Sequence, residues 1–210
     1  MSSPESSEQT RPPVVGILGG ICSGKTTVAR MLAERGFDLI DADRIGHEVL
    51  GRPEVKRRLR EEFGPEIFRA DGRVQRPTLA RRVFGNSERT EKLNSIVHPP
   101  ILEEIDRRIR RADRPVVLDA ALLVEKGLHE KCCDLLVFVD APRQERLRRA
   151  RRERGWDARE LQRRENTQIS PASKRQYADI VIDNSGSQAE LERRIDQLNQ
   201  SIRETLARRP

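Results

Sequence analysis

Apolar residues along this chain fall into short unbroken runs separated by longer polar stretches. Val14-Val15-Gly16-Ile17-Leu18 reads as a buried strand, Asp38-Leu39-Ile40-Asp41 as a second, and Pro115-Val116-Val117-Leu118-Asp119 as a third. The most apolar run, Leu135-Leu136-Val137-Phe138-Val139-Asp140, predicts a fourth strand, and Ile180-Val181-Ile182 a fifth. Between them the spacing turns helical. Val28, Met31 and Leu32 share one face of a helix over Thr27–Arg35. Leu191, Ile195, Leu198 and Ile202 do the same over Gln188–Leu206. Arg44–Arg111 is polar and helical, with candidate helices at Val55–Phe63, Thr78–Phe84, Glu88–Val97 and Pro100–Arg111. Breakers at Gly51-Arg52-Pro53, Gly64-Pro65, Ala70-Asp71-Gly72 and His98-Pro99-Pro100 divide it. Strands separated by helices predict a parallel, doubly wound α/β sheet, with ligands outside the carboxyl ends of the strands.

One such strand end carries chemistry. Gly19-Gly20-Ile21-Cys22-Ser23-Gly24-Lys25-Thr26 has the spacing G-x-x-x-x-G-K-[ST], and it lies between the first strand and the first helix. That order is what a polyphosphate needs. Glycines let backbone N–H groups turn inward around it, and the helix N-terminus adds its positive dipole end. Lys25 can reach the β- and γ-phosphates, and the Thr26 hydroxyl can ligate Mg²⁺. The competing reading, a glycine turn followed by a chance Lys-Thr, fails on both flanks. The chain binds a nucleoside triphosphate.

Composition narrows the class further. Hydrophobic residues are 35% and charged residues 36%, so the surface is unusually polar. No apolar run approaches the ~18 residues of a membrane span, and Met1–Pro13 lacks a signal-peptide core. A cytoplasmic location with no membrane partner is the expectation, and residues 1–13 read as a disordered tail. The formal charge is +7, and Arg143–Arg164 holds ten arginines against four acids, which is +6 of it. Three readings compete for that segment: a mobile basic flap over phosphates, a solvated arginine-rich helix, and a nucleic-acid face. The last lacks interleaved aromatics or a reader motif, so no nucleic-acid partner is expected. Cys132 and Cys133 read as small buried residues. Cys22 reads as a candidate reactive thiol, because an anion-holding loop also favours a thiolate.

Acidic residues at strand ends supply the remaining chemistry. Asp41 and Asp43 stand two apart where the second strand ends. One can position Mg²⁺ or its waters while the other accepts a proton from an attacking hydroxyl. Equally, Asp43 can be the cap of the following helix. Asp119 is either an acidic assistant to Mg²⁺ or a strand terminator. His98, before two prolines, reads on chemistry alone as a helix-end hydrogen bonder.

Taken together these residues resemble the dephospho-CoA kinase family. The resemblance is carried by the phosphate loop, Ile40-Asp41-Ala42-Asp43, Ile96-Val97-His98-Pro99 and Leu122-Leu123-Val124-Glu125. It continues in Arg164-x3-Gln168-x5-Lys174 and Ala178-Asp179-x-Val181-Ile182-Asp183-Asn184-x-Gly186, spanning Val14 to Gly186 in the family's order. It implies a P-loop, nucleoside-monophosphate-kinase-like fold: a five-stranded parallel sheet flanked by helices, with helical substrate-binding and lid insertions. The implied layout after the tail is one domain over 14–210. Its core is 14–45, 112–142 and 178–207, its substrate-binding insertion 46–111 and its lid 143–177. The implied reaction moves the γ-phosphoryl of ATP to the 3′-hydroxyl of dephospho-CoA, with Mg²⁺.

Carried over by position, Cys22, Ser23, Gly24, Lys25, Thr26 and Thr27 hold the ATP phosphates. Asn184 and Gly186 fall where adenine contacts are expected, and Asp43 corresponds to the general base. Arg149 and Arg164 lie in the lid, with Arg164 also assigned to the acceptor side. His98, Leu122 and Glu125 line that acceptor side. This chain departs from the family at four points, one of them Thr26, which replaces the more usual Ser and is chemically equivalent for Mg²⁺. Cys22 stands where Gly is usual, which a backbone-only role tolerates at negative φ. Ala121 replaces a customary Pro. Glu153 occupies the place of a customary lid arginine, leaving the second lid arginine unassigned. Two rival readings share parts of the pattern: a P-loop kinase acting on a nucleoside or small alcohol, and an ATP-dependent nucleic-acid-binding protein.

Overall fold

A computed structural model describes residues 11–83 and 85–208. Residues 1–10 of the expected tail and Phe84 of the expected helix Thr78–Phe84 lie outside the described residues. Of the remaining tail residues, Arg11 donates to both oxygens of Asp134, at 2.8 and 2.9 Å. Pro13 O accepts from Val116 N.

The chain divides into two compact units, one holding the described residues up to Ile40 and from Ile109 onward, the other Asp41–Arg108. The first unit is built on the sheet. Its strands are β1 (Val14–Gly19), β2 (Asp38–Asp41), β3 (Val116–Asp119), β4 (Leu135–Asp140) and β5 (Ile180–Asp183), in the order β2-β3-β1-β4-β5. β1 runs parallel to both β3 and β4, and β4 runs parallel to β5. Every residue of β1 and β3 is buried, which is why these strands read as continuous apolar runs rather than as alternation.

Two helices cover one face: α1 (Lys25–Ala33) and α10 (Gln188–Ala207). Val15, Ile17, Val137 and Ile182 of the sheet form one core with Val28 and Leu32 of α1 and with Leu191, Ile195, Leu198 and Ile202 of α10. α10 starts on a capping box, in which Ser187 and Glu190 satisfy each other's backbone N–H. The first unit also contains α6 (Leu128–Cys132), α7 (Arg143–Arg154), α8 (Ala158–Glu165) and α9 (Pro171–Arg175).

The second unit is helical: α2 (Ala42–Val49), α3 (Pro53–Phe63), α4 (Arg76–Val83) and most of α5 (Ser87–Arg111). α5 corrects the expectation of a break at His98-Pro99-Pro100, because the helix runs through both prolines. Pro99 has no N–H for Ser95 O, and Arg58 Nη2 approaches that carbonyl instead, at a long 3.5 Å. Burial of Ile96 and Ile105 holds the turns on either side. Tertiary packing has overridden a local breaker here. Within α5, Glu104 is buried and accepts from Arg52, Arg107 and Arg108. Among the described residues no helix is long and apolar enough to cross a membrane.

Candidate active site

The site grows from the end of β1. Gly24 adopts φ 95°, and a Cβ there would run into the Asn184 amide, so only glycine permits the turn into α1. No side chain caps the start of that helix, which leaves its first N–H groups pointing at the loop. Ser23 is buried within the loop, and its N–H donates to Gly20 O at 3.2 Å. Lys25 curls over the loop, its Nζ donating to Gly19 O at 3.2 Å and Gly20 O at 3.0 Å. The ammonium therefore sits where a polyphosphate lying in the loop meets it.

Cys22 differs from both expectations attached to it. Its φ is +58°, the only positive φ of a non-glycine among the described residues. The loop thus demands the left-handed region at this position, and that is the physical reason glycine suits it better. Nor is the thiol activated. Burial pushes its pKa up, opposed by the charge of Arg154 and then, after a contrary push from Glu153, by Lys25 and Arg146. Cys132 and Cys133 are half-buried rather than buried, and burial raises the Cys133 thiol to about 12.

At the end of β3 the buried Asp119 carboxylate accepts from Thr26 Oγ1 at 2.6 Å. This contact favours the metal-assisting reading of Asp119 over strand termination. Among the described residues no cluster of three or more His, Cys, Asp or Glu could hold a metal unaided. A hydroxyl beside one carboxylate is nevertheless the donor set that suits Mg²⁺, which takes one or two protein oxygens and completes its shell with phosphate and water.

α7 and the segment after β5 close the loop from the other side. Arg149 Nη1 donates to Ser23 O at 2.9 Å and its Nη2 to Asn184 O at 2.6 Å. Asn184, buried, adds its own Nδ2 bond to Ser23 O at 2.8 Å. Two donors from distant parts of the chain, Arg149 and Asn184, thus fix one loop carbonyl. A cavity of about 540 Å³ lies here, within the size range of nucleotide sites. Cys22, Gly24, Lys25, Thr26, Thr27, Arg149, Asn184 and Gly186 all line it, so these expected phosphate and adenine residues come together.

The acceptor-side residues are distributed differently. Leu122 and Glu125 follow β3, and Glu125 Oε1 pairs with the buried Lys174 at 2.9 Å and accepts from Ile169 N at 3.3 Å. Arg164 pairs with Glu160 at 2.7 Å and stacks on Trp156, Cζ to centroid 4.0 Å. Asp43 and His98 belong to the second unit. Asp41, not Asp43, caps α2 by accepting from Arg44 N at 2.9 Å. The capping reading of Asp43 is thereby removed, and its carboxylate stands exposed in the first helical turn.

Two residues escaped the reading of the sequence. Arg146 is buried in α7, donates to Ile21 O and Ala141 O, and pairs with Glu165 of α8. Its place three residues before Arg149, on the same helical face, was the available signal. Lys174, quoted only as part of a motif, is the second. Its partners Glu125, Gln168 and Ala121 O are contributed by separate loops that no local pattern joins.

Residues 13–190 match the family model described as dephospho-CoA kinase. A dephospho-CoA kinase of Corynebacterium glutamicum is 42% identical over 183 residues, covering 84% of this chain and 93% of the relative. Among solved structures, one from Thermus thermophilus superposes with a TM-score of 0.80 at 34% identity, covering 91% of this chain and 98% of that one. Dephospho-CoA kinase from Campylobacter jejuni shares the fold at TM-score 0.63 and 22% identity, over 91% and 97% of the two chains.

Proposed function

The chain belongs to the dephospho-CoA kinase family, and from that premise we propose that it transfers the γ-phosphoryl of ATP to the 3′-hydroxyl of dephospho-CoA, the step that completes coenzyme A. The observation that carries the reading is the phosphate loop with Lys25 curled over it and Thr26 bonded to Asp119. The backbone of Cys22–Thr27 binds the phosphates, and Lys25 with the Arg149 guanidinium compensates their charge. Thr26 would hold Mg²⁺, with Asp119 orienting the Thr26 hydroxyl. When bound, the ion would supply neutralisation of the phosphates' charge. Asn184 and Gly186 flank the adenine.

Asp43 orients the ribose hydroxyl and takes its proton as the new O–P bond forms. Its exposed position and its lack of a capping duty both suit a base. His98 and Leu122 contact the acceptor. For Glu125 and Arg164 the geometry supports an indirect part. Glu125 anchors the segment around Ile169 by accepting directly from Ile169 N and by pairing with Lys174, and Arg164 steadies Trp156. The layout that goes with this reading is a substrate-binding insertion over 46–111 and a lid over 143–177, in a cytoplasmic enzyme without a nucleic-acid partner.

The test is phosphoryl transfer from ATP–Mg²⁺ to dephospho-CoA, followed by mass spectrometry of the product. One added phosphate, located on the 3′ position, is the expected result. Absence of product with ATP binding intact overturns the acceptor assignment and leaves a nucleoside or small alcohol in its place. Salt-dependent oligonucleotide binding at ordinary ionic strength would instead favour a nucleic-acid role.

A further inference from the structure

Four arginines from α7 line the cavity over the phosphate loop: Arg148, Arg149, Arg152 and Arg154. Their partners separate them. Arg148 pairs with Glu145, and Arg152 pairs with Glu153, both at 2.6 Å. Arg149 is committed to the carbonyls of Ser23 and Asn184. Arg154 alone among the four meets no carboxylate or carbonyl among the described residues. Its guanidinium instead rests on the Trp156 ring, Cζ to centroid 4.7 Å. The same ring receives Arg164, whose other partner is Glu160.

The backbone explains how this platform arises. Gly155 ends α7 in the left-handed region at φ 67°, where a side chain would be strained. The chain then folds back, and Trp156 N donates to Ala150 O at 3.2 Å. Trp156 therefore lies against the end of the helix that carries Arg154. A flexible arginine gains a preferred orientation from the ring without losing its hydrogen-bond donors. The Arg154 charge is also felt at the loop itself. After burial, it is the largest influence on the Cys22 thiol, ahead of Glu153, Lys25 and Arg146.

We infer that Arg154, oriented by Trp156, is the second guanidinium that meets the γ-phosphate of a bound nucleoside triphosphate, taking over from position 153, where this chain has a glutamate. Glu153 is neutralised within the helix by Arg152, so the reversal of charge at 153 does not reach the phosphates. Trp156 is a positioning residue, and Arg164 with Glu160 steadies it. The inference rests on the reading of this cavity as the ATP site.

The test compares ATP and ADP affinity by titration calorimetry, which needs no acceptor, and then kcat with the acceptor. In Arg154→Met, ATP affinity should fall roughly ten-fold with ADP affinity within two-fold of wild type, and kcat should fall ~10²–10³-fold. Trp156→Leu should lower kcat about ten-fold and Trp156→Phe should recover most of it, because only an aromatic face holds the guanidinium. Arg151→Met, an exposed change outside the cavity, should leave all values within two-fold. Circular dichroism establishes that each variant is folded. An Arg154→Met protein with wild-type ATP-over-ADP preference and kcat overturns the inference, as does finding the loss in Arg152→Met instead. If wild type binds neither nucleotide, the ATP reading fails and the inference fails with it. Nucleotide binding without transfer to dephospho-CoA removes only the acceptor, and the affinity comparison still decides Arg154.

Discussion

Glu104 and the phosphate loop each gather arginines, and the two gatherings have opposite electrostatic outcomes. At Glu104, Arg52, Arg107 and Arg108 converge on one buried carboxylate. The hydrogen bond from Arg107, with help from Arg108 and against the pull of burial, holds its carboxyl down at about 2. At the loop, Arg146 and Arg149 donate chiefly to backbone carbonyls, and Arg154 to no acceptor among the described residues. Of these three, Arg146 has a carboxylate partner, Glu165. A carbonyl is a dipole and leaves the net positive charge in place, whereas a carboxylate cancels it. The partner of an arginine therefore separates structural from functional use, even where the residue type and the helical setting are alike.

The comparison extends to carboxylates, and its sharpest test is Asp43. Unlike Glu104 in the same unit, Asp43 is exposed and makes no ion pair among the described residues. Asp43→Asn should lower kcat by ~10²–10⁴-fold while ATP affinity and thermal stability stay near wild type. Steady-state kinetics with acceptor and ATP titration check this together, and full activity would remove Asp43 from the base role. The next largest effect belongs to Arg149. Arg149→Met should cost ~10²–10³-fold in kcat/KM but only about 1 kcal/mol of stability, since water can reach the two carbonyls it leaves at the cavity. A large loss of stability with kinetics intact would move Arg149 to the structural class.

Glu104 should behave in the reverse sense. Glu104→Gln removes one charge and leaves three arginines repelling each other, so unfolding free energy should drop by about 2 kcal/mol. That is below the 3–5 kcal/mol typical of fully buried pairs, because the arginines are partly exposed. ATP affinity should not change. The pH dependence follows from the direction of the shift. A carboxyl near 2 when folded and near 4.5 when unfolded contributes its stabilisation above pH 4.5, and loses it as pH falls toward 2. Urea unfolding between pH 6 and pH 3 should slope downward in wild type and more gently in Glu104→Gln. Equal slopes would show that other acids dominate the acid limb.

What the sequence made legible divides along the same line. Strands and the loop could be read because each is a local pattern. Val14–Leu18 is apolar throughout since both faces of β1 are covered, and the glycine and Lys-Thr spacing sits directly behind it. Helix α5 was misread because the reason it survives Pro99 and Pro100 is not local: buried Ile96 and Ile105, and Arg58 reaching a freed carbonyl. The site was legible in part for the same reason. Lys25, Thr26 and Asn184 sit in recognisable motifs, and Arg149 follows from the family resemblance alone. Arg146 and Lys174 are defined by partners from loops distant in sequence, and an arginine-rich helix gives no sign of which guanidinium is buried. Cys22 could not be judged either, because its strain depends on a φ that the loop alone determines.

The smallest effect is at that cysteine, and its sign is informative. A non-glycine residue at φ +58° costs ~1–2 kcal/mol relative to its right-handed alternative. Replacing it by glycine removes that cost but adds ~0.4–1 kcal/mol of unfolded-chain freedom. Cys22→Gly should therefore stabilise the protein by about 0.5 kcal/mol, a rise of ~1–2 °C in Tm. Because the loop holds phosphates through backbone N–H groups, ATP affinity should be unchanged. The wild-type thiol, raised by burial, should react slowly with iodoacetamide at neutral pH. A fall in Tm on going to glycine would mean that packing of the half-buried thiol outweighs the strain. The loop would then be held by this side chain as well as by its backbone.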